Sequence, residues 1–243
     1  MSHALPLLRT RDRLTSYFRS GEVMGSRSVS GVVLSGVIAV PAPSARLMAD
    51  WEREISLQLG LEPGDVEPLP LPRARARWPD YAHCVQSALD WTRTLGLREV
   101  IANSDIALMA CRGARYHHDG AQYGGAAFCN LFISEDKGLD LHFPVTGHRI
   151  PLVRGTALVF DTGQPHAVVR RGGDSFDVAD FAPDQDCTQV FLTWELPIEN
   201  VDVARSLGVE FDVDPATAAR IDEEQVWWNG APMTLCSESG GLE

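Results

Sequence analysis

Between Ile106 and Leu196 the chain breaks into short β-rich runs, each set off by Gly, Pro, Asn or Asp. They are Ile106–Cys111, Ala126–Ile133, Leu139–Pro144, His148–Val153, Thr156–Phe160, His166–Arg170 and Gln189–Leu196. Strands that recur roughly every 8–12 residues leave no room for the helical crossovers of a parallel sheet. They must pair antiparallel and close as a sandwich or barrel.

The chain upstream has a different texture. Residues 1–30 are polar and weakly patterned and read as a flexible lead-in. Gly31–Val40 is β-branched and stops at Pro41 and Pro43, the mark of a strand. Ser44 then caps a helix running to about Leu59, with Leu47, Met48, Trp51 and Ile55 on one face. Pro63–Pro72 is too proline-rich for anything but a loop, and a second helix follows from about Tyr81 to Leu95. Helices at Val201–Leu207 and Pro215–Gln225 end the chain. The expected organisation is one domain: lead-in, strand and helices over 1–98, a β core over 99–197 and a helical tail over 198–243.

Charge narrows the partners. The 243 residues carry 21 Lys+Arg against 33 Asp+Glu, a net charge of −12. That excess disfavours nucleic acid and anionic membrane as partners, because both need a clustered basic surface. A groove around Arg73, Arg75 and Arg77 is the one local exception. The five cysteines are scattered and never form a Cys-x-x-Cys pair, which suits a reducing compartment rather than a disulfide framework. The longest apolar stretch, Gly31–Val40, cannot span a bilayer, and no secretory leader is legible, so a cytoplasmic protein is expected.

Chemistry concentrates in Arg115-Tyr-His-His-Asp-Gly120 and in Gln164-Pro-His166. Residues i and i+2 at a strand end project to one face, so His117 and Asp119 form a ligand pair that His166 can complete. Two imidazoles and a carboxylate leave three adjacent positions open on an octahedral ion, a donor set suited to Fe(II) and O₂. Tyr116 and Tyr123 flank the turn as candidate gates, His118 should face away, and His142 and His148 read as strand-face or pocket residues. Trp227-Trp228 either seals the barrel or makes a dimer contact.

From Gly138 the order Leu-His-Phe143-Pro144, Gly147, Gly155-Thr156, Phe160 and His166-Ala-Val168 resembles the iron(II)/2-oxoglutarate-dependent oxygenases, in particular their prolyl-hydroxylase-like branch. The resemblance covers about residues 105–197 and implies a double-stranded β-helix, or jelly roll, over 99–197. It also implies Fe(II) held by His117, Asp119 and His166, with 2-oxoglutarate and O₂ as co-substrates in the hydroxylation of an amino-acid-like or natural-product small molecule. In that chemistry 2-oxoglutarate is decarboxylated to succinate. The retained Asp119 favours hydroxylation over halogenation, which surrenders this carboxylate to a halide.

One element of the pattern is missing. The family anchors the distal carboxylate of 2-oxoglutarate with Arg or Lys early in the closing strand, and the matching position here is Thr188. Arg170, two residues past Val168 on the face of His166, is the expected replacement, with Arg149 and Arg154 behind it; Thr188 and Asn130 are expected to supply hydrogen bonds. The departure keeps two alternatives open: an iron oxygenase or oxidase of this fold that does not use 2-oxoglutarate, and a non-catalytic jelly-roll binding module.

Overall fold

The computed structural model describes residues 13–56, 60–182 and 185–242. Leu59 and residues 1–12 of the expected lead-in lie outside the described residues.

Eight strands form the barrel: β5 (Ile106–Cys111), β6 (Ala114–His117), β7 (Ala126–Phe132), β8 (Leu139–Phe143), β9 (His148–Pro151), β10 (Thr156–Asp161), β11 (His166–Arg170) and β12 (Gln189–Pro197). They are shared between two antiparallel sheets, and two further strands from upstream widen one of them. β3 (Val33–Val37) and β4 (Val66–Leu69) flank the larger sheet, whose order is β3-β10-β7-β12-β5-β4. The smaller sheet runs β6-β11-β8-β9. Apart from the β8–β9 hairpin, consecutive barrel strands thus go to opposite sheets, which is the jelly roll the strand spacing and the resemblance implied.

Alternation along β12 separates two cores. Val190, Leu192, Trp194 and Leu196 face outward to helices α1 (Ala45–Glu54), α3 (Tyr81–Thr94) and α4 (Arg98–Ala102). Phe191 faces inward, stacked on Phe132 at 4.9 Å between ring centroids. In α1 the buried side chains are Leu47 and Trp51, four residues apart on one stripe, and Ser44 caps the helix by accepting from Leu47 N–H.

Four expectations change outside the barrel. The described part of the lead-in is not flexible coil: β1 (Leu14–Ser20) and β2 (Val23–Ser28) join β13 (Gln225–Trp228) and β14 (Ala231–Pro232) in a third sheet. Its buried residues Tyr17 and Phe18 are aromatic, a signal that the polar neighbours masked. Pro63–Pro72 contains β4 and the start of helix α2 (Leu71–Arg77). Pro68 sits on an edge strand and Pro72 in the first turn of α2, the positions where a missing N–H costs nothing. The tail is mixed rather than helical: after α5 (Val201–Leu207), helix α6 covers only Pro215–Ala218, and Trp227 pairs with Thr15 while packing edge-on against Tyr17. The tryptophan pair therefore belongs to the third sheet and does not seal the barrel.

A buried ion pair ties the third sheet to the barrel. Arg27 of β2 and Asp161 of β10 are both wholly buried, and their two contacts are 2.6 and 2.9 Å. Arg27 also donates Nε–H to the Gly124 carbonyl at 2.9 Å. Asp161 accepts the backbone N–H of Ser30 at 2.8 Å and of Gly163 at 2.9 Å. Removing one partner strands the other charge in the interior, so Asp161→Ala should lose about 3–5 kcal/mol of stability in urea unfolding. A loss under about 1 kcal/mol would contradict this account of the pair.

Candidate active site

His117 ends β6 and His166 begins β11, and the two are partners in register, with ring centroids 4.5 Å apart. Asp119 lies just past the strand, in a turn rather than on a strand face. Its N–H donates to the Thr162 carbonyl at 2.8 Å, and its own carbonyl accepts from Gln122 and Tyr123. Gly120 is required next to it, since a Cβ there would lie 2.5 Å from Val226 and 3.0 Å from Gly163 Cα. Thr162 closes the turn by contacting the carbonyls of Tyr123 and Ala126 with its hydroxyl at 2.6 and 2.8 Å.

The three side chains converge. His117 Nε2 is 3.7 Å from Asp119 Oδ1, and His166 Nε2 is 3.6 Å from Asp119 Oδ2. One ligand atom from each residue lies within 4.8 Å of the others. Behind the rings, His117 Nδ1 sits 2.7 Å from the Arg115 carbonyl and His166 Nδ1 sits 2.9 Å from the Gln164 carbonyl. A carbonyl can only accept, so both Nδ1 atoms carry the proton and both Nε2 lone pairs turn toward Asp119. Burial, and then the facing His117, push His166 down to about 3, which keeps it neutral as a ligand must be. Burial raises the carboxyl of Asp119. A cation among the three would reverse that cost. These residues fit a divalent transition-metal ion.

The triad sits on one side of a cavity of about 390 Å³, within the size range of small-molecule sites. Its wall can be read in rungs from the sheet register. Glu195 and Phe128 are partners near the metal end, Thr193 and Asn130 come next, and Phe191 and Phe132 lie deeper. Cys111 and Val66 are paired beyond them. Asn130 is buried, and its Oδ1 has no hydrogen-bond partner. Tyr123 lines the cavity; Tyr116 does not, its hydroxyl lying 2.6 Å from His142 Nδ1 on the other face of the small sheet. His118 is outside the converging set, and His148 is exposed on β9.

The expected anchors for 2-oxoglutarate are not in this cavity. Neither Arg170 nor Thr188 lines it, and neither do Arg149 and Arg154. Arg170 donates to the Asp180 carbonyl at 2.8 and 3.1 Å and also reaches Gln185. The reason lies in the segment that follows β11. It folds back as a 3-10 turn, Val178–Phe181, and plugs the end of the barrel with the wholly buried Phe181. Gly113 makes room for that ring, since a Cβ there would approach it to 2.5 Å. The plug's carbonyls take the guanidinium. Asn130 is the one expected co-substrate residue that the cavity contains. Val66, Thr193, Phe191 and Glu195 were not anticipated; the period-two alternation of β12 could have revealed the last three, whereas β4 is hidden by its prolines.

No protein-family model and no curated protein matches the chain. Solved structures similar to it include a prolyl-4-hydroxylase from Pseudomonas putida, at 18% identity, covering 68% of this chain and 92% of that one with a TM-score of 0.40. Another is SnoK, a non-haem alpha-ketoglutarate-dependent carbocyclase of nogalamycin biosynthesis, at 9% identity, 86% and 91% coverage and a TM-score of 0.39. A third is EvdO2 from Micromonospora carbonacea var. aurantiaca, at 14% identity, 67% and 74% coverage and a TM-score of 0.36.

The carbonyl contacts fix the tautomers. In ¹⁵N NMR of the metal-free protein at neutral pH, His166 should appear as the neutral Nδ1–H form, and an Nε2–H signal from its ring would contradict this geometry.

Proposed function

We propose that the chain is a non-haem iron(II) oxygenase that takes a small molecule into the barrel cavity and oxidises it with O₂, by hydroxylation in the simplest case. The observation that carries this reading is the convergence of two Nε2 lone pairs and one carboxylate at the edge of a largely apolar cavity. Bound Fe(II) would supply O₂ activation, with three coordination sites left for ligands other than protein. The chain's own part is positional. The Arg115 and Gln164 carbonyls hold the two imidazoles in the ligating tautomer. Phe160 and Phe143 pack against His166 at 4.9 and 5.9 Å and fix its ring.

Hydroxylation by O₂ needs two electrons beyond those of the C–H bond. The resembled family draws them from 2-oxoglutarate. Among the described residues lining this cavity there is no Lys or Arg to hold that molecule's distal carboxylate, so the residues present do not fit it. This favours the second reading kept open above, in which the substrate itself chelates the metal and supplies all four electrons that reduce O₂.

The test is metal uptake. Anaerobic protein should take up one Fe(II) per chain, and His117→Ala and His166→Ala should each weaken binding by more than about 100-fold while keeping the wild-type circular dichroism spectrum. Unchanged metal content in both variants would instead support a non-catalytic binding module.

A further inference from the structure

The cavity has one charged end and one end without charge. Its ionisable side chains His117, Asp119, His166, Tyr123 and Glu195 belong to the triad end or the rim, and the one other, the Cys111 thiol, is held neutral by burial. The closed end is built from Val66, Cys111, Ala114, Phe132, Val168 and Phe191. All six are apolar, and five are at least nine-tenths buried.

Cations do lie close by in the chain, and each is turned to another task. Arg112 follows Cys111 and gives Nη2 to the Ala182 carbonyl of the plug. Arg170 gives its guanidinium to the Asp180 carbonyl. Arg112 Nε is buried without a partner, but its side chain is not part of the cavity lining; the other unpartnered groups near the closed half are neutral amides. Asn130 Oδ1 is unpartnered in the middle of the cavity. Gln189, paired with Cys111 and wholly buried, has neither side-chain atom bonded. A carboxylate pushed into this end would lose its water and gain no opposite charge, whereas an aliphatic or aromatic group would meet matching surface.

We propose that the molecule bound here presents an uncharged, mainly apolar group to the closed end, so that the site selects a metal-chelating ligand with an aliphatic or aromatic tail over the dicarboxylate 2-oxoglutarate. The chelating half rests on the metal reading above. The selection at the closed end rests on the cavity wall alone.

A matched pair of probes separates the two ends. 2-Oxoglutarate and 2-oxohexanoate carry the same chelating 2-oxo acid and differ in the distal group, carboxylate against alkyl. With full-length protein loaded with redox-inert Zn(II), calorimetry should give 2-oxohexanoate a Kd at least about ten-fold lower. Val66→Arg should reverse the order, because Val66 is on an edge strand that tolerates a long side chain and would place a guanidinium at the closed end. Equal or tighter binding of 2-oxoglutarate to the wild type overturns the proposal, and so does binding of neither probe to metal-loaded protein. If folded protein takes up no metal, the oxygenase reading fails by itself. The cavity is then probed without metal by 1-hexanol against succinate: stronger binding of hexanol upholds the selection at the closed end, and any other order overturns it.

Discussion

The Arg27–Asp161 pair is the constraint on which the site's geometry depends. Asp161 ends β10, and the chain needs only Thr162, Gly163, Gln164 and Pro165 to reach His166. Asp161 holds this connection from within by accepting Gly163 N–H. Arg27 reaches across to the Gly124 carbonyl, in the turn that follows Asp119. One guanidinium therefore braces the segments on which two of the three converging side chains are mounted. An ion pair stripped of water contributes less to net stability than its contacts suggest. Its value here is positional, because β1 and β2 cannot leave the barrel without exposing a charge to the interior. The third sheet is thus part of the site's frame, although none of its residues lines the cavity.

The plug explains why the barrel is a pocket and not a channel. Phe181 and Phe176 stack at 5.2 Å beneath the small sheet, and Arg115 lies 5.0 Å over the Phe176 ring. The same segment supplies this hydrophobic stopper and absorbs Arg170 through the Asp180 carbonyl.

Much of the architecture was legible because period-two alternation and turn residues are local signals. They located the barrel strands of the two sheets except β6, a four-residue element next to the metal turn. The convergence of His117, Asp119 and His166 was legible for a similar reason, as two of the three are two residues apart. What could not be read depends on distant pairing. β1 looks like polar coil until β13 lies beside it, and β4 looks like a proline loop until β5 offers it an edge. Arg170 obeys the strand's alternation, and only the fold of residues 178–181 decides what its guanidinium meets. The short helix α6 stops at Ala218 because the residues after it are needed to bring Gln225–Trp228 alongside β1.

The fate of the cations gives the net charge of −12 a local meaning. Arg73 and Arg77, the candidates for a basic groove, pair with Glu54 and Asp50 at 3.0 Å each, and Arg75 lies 5.0 Å from the Tyr81 ring. Arg171 spans Asp136 and Asp140 at 2.8 and 3.0 Å. Arg27 serves a buried carboxylate, and Arg112 and Arg170 serve part-buried carbonyl oxygens. With these guanidiniums turned to the fold, the carboxylates of Asp119 and Glu195 face the cavity without a cationic side chain among its lining. A metal cation bound by the triad would then be the main positive charge inside the barrel. A negatively charged group entering the cavity would be drawn to that end alone, leaving the closed end to whatever part of the molecule avoids water.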